Sequence, residues 1–345
     1  MSDIHLVMTG WRGTLLVAVG TALASTLILR VLLATGWAWW LATDIPNARS
    51  LHTRPTPRVG GCSIVPVVLV AILLCAPRLW LIAAAAGGLA ALSQIDDRRG
   101  LPARVRFAGH LAAVAVLLAV YPAAAPWHLV VVGFLMVWLI NLYNFMDGAD
   151  GLAGGMALFG FGAYALAAAL AAPASTDLTL AAAAVAGTAF GFLLLNFHPA
   201  RLFLGDAGSI PLGFLAGAIG YWGWYRDIWW IGFPAMVFAP FIADASVTLS
   251  RRLLRGAKFW EAHREHYYQR LVWSGFGQAR NALCWYAVML AGAILAVLLL
   301  GCNMRLQWIF LVGWYGVVAC FGLAIDIRWH RKQGDANQTN NKSPD

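Results

Sequence analysis

The chain has 345 residues, of which 61% are hydrophobic and only 11% are charged, and its mean hydropathy is +0.71. This composition lies outside the range of a soluble globular domain and is typical of a membrane protein. The formal net charge of +9 does not require a nucleic-acid partner, because arginines at a membrane surface can meet anionic lipid headgroups.

Apolar segments that could cross a bilayer follow one another along most of the chain. A helix needs about 20 apolar residues to cross a hydrocarbon core of roughly 30 Å. Counting short segments generously, we predict eleven transmembrane helices, over residues 14–36, 60–76, 79–95, 107–121, 127–143, 153–171, 178–195, 209–225, 228–249, 281–300 and 306–325. The sequence therefore predicts an all-α, polytopic integral membrane protein. We expect one multi-spanning domain over residues 1–332 and a polar, disordered tail over 333–345.

Basic residues predict the orientation of the chain in the membrane. Of the 24 Lys and Arg residues, 19 fall on one side of the predicted spans and four on the other, namely Arg12, Arg78, Arg226 and Arg305, while Arg30 lies within the first span. Cytoplasmic loops carry the excess of positive charge in membrane proteins. We therefore expect a periplasmic N-terminus and a cytoplasmic C-terminus, in the inner membrane of a bacterium.

Five aspartates fall at the ends of spans or in connections that this orientation assigns to the cytoplasmic face. They are Asp96 and Asp97 in SQIDDRRG, Asp147 and Asp150 in NLYNFMDGADGLAGG, and Asp206 in LFLGDAGS. A single acid at a helix end is usually just solvated, but several beside hydrocarbon repel one another unless a cation or an arginine compensates. Oxygen ligands without His or Cys favour a hard cation, Mg²⁺ or Mn²⁺.

The segment NLYNFMDGADGLAGG also carries polar groups at every third position. Asn141, Asn144, Asp147 and Asp150 would lie on neighbouring parts of one face if this segment were helical. An apolar helix that ends in such a polar face is expected to turn that face towards a ligand and away from lipid.

Two basic segments are candidates for phosphate binding. Arg54 and Arg58 alternate with prolines in a stiff loop. Residues 250–280 hold the densest charge, including His263 and His266 at helical spacing. For this second segment an amphipathic surface helix that lies among lipid headgroups is the alternative interpretation.

Five motifs together resemble a known family. They are RPTPRVGG (54–61), IDDRRG (95–100), NLYNFMDGADGLAGG (141–155), LNFHPARLFLGDAGS (195–209) and AHREHYYQR (262–270). In this order, over residues 45–270, they resemble the polyprenyl-phosphate N-acetylhexosamine-1-phosphate transferases of the MraY/WecA type. The resemblance implies transfer of a sugar-1-phosphate from a UDP-sugar to undecaprenyl phosphate, with release of UMP and with Mg²⁺ (or Mn²⁺) as cofactor.

The resemblance also implies roles for individual residues. It implies metal binding by Asp206, Asn144 and Asp97, and catalytic roles for Asp96, Asp97, Asp147, Asp150, His263 and His266. Substrate contacts are implied for Asn141, Asn144, Asn196, Phe203, Arg54, Arg58, Arg264 and Arg270. Phe203 would stack on uracil. Which of Asp96 and Asp97 touches the metal, and which acts as a base or supports a ligand, stays open.

Departures from the family pattern indicate a branch. DDRRG has Arg and Gly where relatives often have an acid or a lysine, and His263 and His266 replace a run of adjacent histidines. Both features point away from a muramyl-pentapeptide donor and towards the enzymes that initiate O-antigen or other surface polysaccharides. The donor is then UDP-GlcNAc, UDP-FucNAc or UDP-QuiNAc. The expected partners are this donor, the lipid acceptor and membrane lipids; a homodimer stays open and no nucleic acid is expected.

Carboxylates inside a helical bundle also occur in transporters, so a carrier or flippase for a lipid-linked or anionic sugar is the alternative function. Carrier sites lie near the bilayer midplane and recur in paired halves. Here the acids map to the ends of spans, and the sequence contains no visible repeat of one half. We therefore favour the transferase.

Overall fold

Apolar helices make up almost all of the structure, which confirms the predicted all-α class. The computed structural model describes residues 10–46, 51–122, 126–171, 174–257 and 263–340. The long helices are α1 (Trp11–Ala34), α3 (Gly61–Cys75), α4 (Trp80–Arg99), α5 (Ala103–Val120), α6 (Pro126–Phe145), α7 (Leu152–Leu170), α8 (Thr176–Asn196), α9 (Asp206–Tyr225), α11 (Ala239–Leu254), α13 (Gln278–Leu298) and α14 (Met304–Asn340). Short helices α2 (Trp37–Leu41), α10 (Phe233–Val237) and α12 (Tyr267–Leu271) and a π-helical turn (Val272–Phe276) connect them.

Eight of the helices are long and apolar enough to cross a membrane, counted over the described residues. They are α1, α4 (with the preceding turn from Pro77), α5, α6, α7, α8, α13 and α14. The chain is therefore a multi-pass membrane protein, but eight is fewer than the eleven spans expected from sequence.

The difference lies in three predicted segments. The segment 60–76 forms α3, which has only 15 residues. The segment 228–249 is divided at Phe238 between α10 and α11, because Pro240 begins a new helix and cannot donate a hydrogen bond to the preceding turn. The segment 209–225 belongs to α9, whose first residue is Asp206 and whose several glycines reduce its hydropathy.

Helix α8 lies at the centre of the bundle and packs against α1, α3 and α7. Its residues are almost all buried, and small side chains allow the close approach. A Cβ added at Gly187 or Gly191 would overlap the backbone of α1, and Thr26 Oγ1 of α1 donates a hydrogen bond to the Gly191 carbonyl at 3.2 Å. Such close packing of small residues is a common way for helices to associate in a membrane.

At one end of the bundle, backbone hydrogen bonds join the loop before α3 to the loop before α9. The N–H groups of Val59 and Gly60 both donate to the Phe203 carbonyl, at 3.1 and 2.9 Å, and the Phe203 N–H donates to the Pro57 carbonyl at 2.8 Å. A two-stranded antiparallel sheet, β1 (Thr43–Asp44) with β2 (Thr56–Pro57), supports the same loop. Arg58 and Asp206 are therefore held on a shared backbone framework.

The last helix continues beyond the apolar segment to Asn340. Residues 333–340 are thus helical where the sequence predicted a disordered tail, and residues 341–345 of that prediction lie outside the described residues. Extending an existing helix requires no new nucleus, so polar residues can continue it past the membrane. Just before this extension, Lys332 Nζ donates to the Trp273 carbonyl at 2.8 Å.

A substitution at Gly61 tests the contact between α3 and α9. A Cβ added there would overlap the backbone of Ala207 and Gly208, whereas Gly88 on the outer face of α4 has no such neighbour within 4 Å. We expect Gly61→Ala to destabilise the protein by about 1–3 kcal/mol, as overpacking does, and Gly88→Ala to be neutral. Thermal unfolding in detergent measures both variants, and equal midpoints would contradict this close contact.

Candidate active site

Residues from six separate segments converge on one polar cavity of about 300 Å³ at this end of the bundle. We call it the carboxylate cavity. Its lining includes the loop after α6, the loop before α9 and the loop before α3. The lining residues are Asp44, Leu51, His52, Arg58, Asn144, Asp147, Gly148, Ala149, Asp150, Asn196, Phe203, Gly205, Asp206, Gln269 and Gln278. Seven of these residues were predicted from sequence as site residues: Arg58, Asn144, Asp147, Asp150, Asn196, Phe203 and Asp206.

Like charges are held close together in the carboxylate cavity. Burial and, after it, the neighbouring charge of Asp206 raise the pKa of Asp147 to about 7, although Arg58 and the Gly205 backbone N–H act in the opposite direction. The carboxylate of Asp97, at the end of α4, also interacts electrostatically with Asp206 and Arg58. The structure therefore brings Asp97, Asp147 and Asp206 into one electrostatic cluster, compensated in part by Arg58.

Polar side chains on either side fix the loops of this cluster. Ser209 Oγ, in the first turn of α9, donates to Asn144 Oδ1 at 2.7 Å. Asn196 Oδ1 accepts from the Gly151 N–H at 3.0 Å, and its Nδ2 donates to the Leu202 carbonyl at 2.9 Å. Gly151 has a φ of +73°, which glycine adopts without strain and which starts α7 at this point.

Asp150 also contacts the loop that follows α8. Its Oδ2 lies 2.7 Å from His198 Nδ1 and accepts from the Ala200 N–H at 3.2 Å. One of its carboxylate oxygens is thus engaged by protein groups. Asp150 lines the cavity as predicted, and its contacts show that it also orders the segment containing His198.

Asp96 is held differently from its neighbour Asp97. Its Oδ1 accepts from the Leu101 N–H at 2.6 Å, and its Oδ2 accepts from Arg106 Nη1 at 3.0 Å. Both oxygens therefore have protein partners. Arg106 was not predicted as a site residue, because in the sequence it is one of several arginines near the start of a span.

Neither histidine of the 263–270 segment is among the described residues that line the cavity. Gln269 of the same segment does line it, so the histidines lie beside the cavity. His266 is buried, and its Nδ1 lies 3.0 Å from Oδ1 of Asp244 on α11. Asp244 also accepts from the N–H groups of Tyr267 and Tyr268, at 3.0 and 3.1 Å. The His263 ring lies next to that of His266, with centroids 4.8 Å apart.

Asp244 was missed by the sequence reasoning. It lies within the predicted span 228–249, and a carboxylate in an apolar span is by itself a signal of a functional or partnered group. The structure shows that it shapes the turn that carries His266. A surface helix among headgroups, the alternative interpretation for this segment, does not fit a histidine buried against α11.

The remaining predicted residues have other surroundings. Arg270 Nη1 donates to Asp326 Oδ1 of α14 at 2.6 Å, so this guanidinium is engaged in an internal ion pair. The Arg264 guanidinium lies 5.0 Å from the centroid of the Trp273 ring. Thr56 Oγ1 donates to the carbonyl of Arg54, and the Arg54 side chain is exposed and outside the cavity lining. Asn141 Nδ2 donates back to the Val137 carbonyl at 2.7 Å.

Phe203 has the position expected for an aromatic platform. Its ring lines the carboxylate cavity and meets the ring of His52 edge-on, with centroids 4.8 Å apart. Stacking of a base on this ring stays a prediction.

The donor set of the cavity can be compared with the needs of Mg²⁺. Within the described residues, no three His, Cys, Asp or Glu side chains are grouped so that they could hold a metal ion alone. Asp147 and Asp206 share the cavity with Asn144, and these are oxygen donors. Mg²⁺ usually keeps several waters and takes one or two carboxylates plus substrate phosphates, so this set suits it. Metal binding itself stays a prediction.

A second, larger cavity adjoins the first. It is a groove of about 980 Å³ between α5 and α6, with largely apolar walls formed by side chains such as Val114, Leu118 and Phe134. We call it the α5–α6 groove. Asn144 lines both the groove and the carboxylate cavity, so the two meet at this residue.

Comparisons with known proteins show which transferases the chain resembles. Residues 79–223 match the model of glycosyl transferase family 4. The chain is 27% identical over 286 residues to the probable undecaprenyl-phosphate N-acetylglucosaminyl 1-phosphate transferase of Bacillus subtilis, covering 75% of this chain and 77% of that protein. It is 29% identical over 317 residues to the decaprenyl-phosphate N-acetylglucosaminephosphotransferase of Mycolicibacterium smegmatis, covering 75% and 78%.

A third relative covers more of the chain. The undecaprenyl-phosphate alpha-N-acetylglucosaminyl 1-phosphate transferase of Yersinia pestis is 29% identical over 320 residues, covering 83% of this chain and 84% of that protein. These relatives are sugar-phosphate transferases by their names, which indicates that this multi-pass chain is a phosphotransferase. The chain is similar to glycosyl transferase family 4 over residues 79–223, and over about three quarters of its length to transferases of the MraY/WecA type. This confirms the resemblance and the enzyme class, and the carrier hypothesis is set aside.

The buried histidine segment makes a prediction about pH. Burial, together with the nearby His266 and Arg252, lowers the pKa of His263 to about 4, although Glu265 and Asp244 act in the opposite direction. Below the unfolded-state pKa of about 6.5, His263 binds a proton in the unfolded chain but stays unprotonated in the folded protein. The free energy of unfolding therefore falls between about pH 6.5 and pH 4. Above about 6.5 this histidine contributes no pH dependence.

We therefore expect His263→Gln to lose less thermal stability than the unsubstituted protein between pH 7 and pH 4. The measurement is the unfolding midpoint in detergent across this range. His330→Gln is the control, because His330 is exposed on α14. Superimposable pH profiles for His263→Gln and the unsubstituted protein would show that His263 is not held uncharged.

Proposed function

We propose that the enzyme transfers an N-acetylhexosamine-1-phosphate from a UDP-sugar to undecaprenyl phosphate, at the cytoplasmic face of the bacterial inner membrane. One observation carries the proposal: a cavity of clustered carboxylates meets an apolar groove at Asn144. A nucleotide diphosphate is polar and highly charged, whereas a prenyl chain is apolar. The two adjoining cavities match the two substrates of such a reaction.

The lining of the groove supports an acceptor that is a lipid with a charged head. Its apolar walls suit a prenyl chain, and Arg104 and Arg106 line the part that belongs to the start of α5. A phosphate monoester at this position would lie beside basic side chains with its chain in the groove. The relatives named above act on undecaprenyl or decaprenyl phosphate by their names, which supports the same class of acceptor here.

The chemistry is a displacement at phosphorus. An oxygen of the acceptor phosphate forms a bond to the sugar-bearing phosphorus of the donor, and the bond from that phosphorus to the bridging oxygen breaks. UMP leaves with the electron pair of that bond. A phosphate monoester has a second pKa near 6, so much of the acceptor is already a dianion at neutral pH and requires no strong base. Bringing two anions together is the main difficulty.

The residues of the chain address this difficulty by charge. Arg58 lies in the cavity and offsets the charge of bound phosphates, and Phe203 offers a ring on which uracil can stack. Asp147 and Asp206, with Asn144 and Asp97 nearby, would hold Mg²⁺, with Mn²⁺ as a substitute. When bound, Mg²⁺ supplies positive charge to the donor diphosphate and to the leaving UMP.

The orientation follows from the distribution of positive charge. The carboxylate cavity lies at the end of the bundle whose connections hold most of the Lys and Arg residues, including Arg98, Arg99 and the 251–255 cluster. Because cytoplasmic loops carry such an excess, we place the cavity on the cytoplasmic side, where UDP-sugars are made available. The product would then initiate an O-antigen or another surface polysaccharide.

The transfer reaction is tested with purified protein, UDP-GlcNAc, undecaprenyl phosphate and Mg²⁺, by measuring UMP. We expect chelation of the metal to abolish release, and Asp206→Asn or Asp147→Asn to reduce kcat by about a hundredfold or more. The matched control is Asp177→Asn, because Asp177 pairs with Arg78 at the opposite end of the bundle. UMP release that persists in chelator, or at an unchanged rate in Asp206→Asn, would refute this mechanism.

The donor sugar is tested by the mass of the lipid product. We expect a lipid diphosphate carrying one N-acetylhexosamine from UDP-GlcNAc, or a deoxy-N-acetylhexosamine from UDP-QuiNAc or UDP-FucNAc. Incubation with each donor separately identifies which sugar raises kcat/KM most. A product formed best with the muramyl-pentapeptide donor would contradict the surface-polysaccharide assignment.

A further inference from the structure

One polar residue of the α5–α6 groove has no role in the site described above. His110 lies on α5, is only 6% exposed and lines the groove among apolar side chains. Its Nδ1 is buried and has no hydrogen-bond partner among the described residues. A buried polar atom without a partner costs free energy, so an apolar residue would be favoured here unless a ligand satisfies the nitrogen.

His110 lies one helical turn beyond Arg106 on α5. Residues four apart share a helix face, and both side chains line the groove. Arg106 is held by Asp96 at 3.0 Å, and Asp96 is itself fixed by the Leu101 N–H. The groove therefore contains the Arg106 guanidinium, fixed by Asp96, near the carboxylate cavity. The His110 imidazole lies about one helical turn further along the groove.

This order of groups matches the head of a lipid phosphate monoester. Its phosphoryl oxygens carry the charge, and its bridging ester oxygen lies between the phosphorus and the hydrocarbon chain. A guanidinium is suited to the charged oxygens. A neutral imidazole has one N–H donor, which can be given to an oxygen at the polar–apolar boundary without bringing a second charge into the groove.

On the basis of the proposed function, we propose that His110 is a substrate-positioning residue for the lipid acceptor. Its imidazole turns to donate an N–H to the ester oxygen of the prenyl phosphate while Arg106 binds the phosphoryl oxygens. Asp96 then acts through Arg106, whose orientation it fixes. This arrangement sets how deeply the acceptor enters the groove, and so places its phosphate at Asn144, where the groove opens into the carboxylate cavity.

The test compares His110→Leu, which removes the donor, with His110→Gln, which keeps one. The control is His128→Leu on α6, because His128 Nδ1 is also buried without a described partner but His128 does not line the groove. We expect His110→Leu to raise the apparent KM for undecaprenyl phosphate about tenfold, with the KM for the UDP-sugar unchanged. His110→Gln should recover part of this loss, and His128→Leu should leave both KM values unchanged.

Two results would overturn the proposal. One is an unchanged acceptor KM in His110→Leu. The other is an equal loss for both substrates, accompanied by a lower unfolding midpoint and not recovered by His110→Gln, which would make His110 a packing residue.

Binding without turnover separates this proposal from the proposed function. Native mass spectrometry in detergent, with undecaprenyl phosphate and no UDP-sugar, reports the lipid bound to each variant. Weaker binding by His110→Leu than by the unsubstituted protein supports the positioning role. This holds even if no donor yields UMP, because the lack of UMP would refute only the transfer reaction. Equal binding by the two proteins overturns the positioning role whatever the transfer assay shows.

Discussion

The structure depends on holding several carboxylates together at the end of an apolar bundle. Burial and the charge of Asp206 raise the pKa of Asp147 to about 7, which reports the free-energy cost of this crowding. Arg58 offsets only part of the charge. Such an arrangement is unfavourable for a merely structural cluster, and a divalent cation with phosphate ligands would relieve it. The cost of repulsion without the cation is therefore the basis of a site that favours cation binding.

The rest of the fold keeps these charges in place. The loops that carry Arg58 and Asp206 are joined by backbone hydrogen bonds through Phe203, and Gly61 lets α3 approach the start of α9. Interactions made by backbone are insensitive to side-chain exchange, so they fix the cluster firmly. On the other side, Asp244 and Asp326 hold the segment 263–276 against α11 and α14. Helix ends thus frame the carboxylate cavity, while the groove beside it has largely apolar walls.

Much of the candidate site could be predicted because its residues stand out from the sequence immediately around them. Asp147, Asp206 and Asn144 are polar residues at the ends of apolar runs, and a lipid-facing position would be costly for them. Arg106 could not be singled out, because its proposed role depends on its ion pair with Asp96 and on its position in the groove. Both arise only when the helices pack together. The sequence also could not show that the Arg270 guanidinium pairs with Asp326, 56 residues away, and the substrate contact implied for Arg270 stays a prediction. Among the described residues eight helices meet the length and hydropathy of a span, against eleven predicted, because apolar content alone does not reveal the break near Pro240 or the polar start of α9.

Cation binding by the carboxylate cluster is measured most directly with Mn²⁺, whose free form gives a strong electron paramagnetic resonance signal in solution. Titration of Mn²⁺ into the purified protein, with UMP present, reports the bound fraction without any turnover. The account predicts saturable binding that Mg²⁺ displaces and that Asp206→Asn and Asp147→Asn each weaken strongly, while Asp177→Asn leaves it intact. Equal Mn²⁺ affinity in all four proteins would contradict the claim that these carboxylates form a cation site.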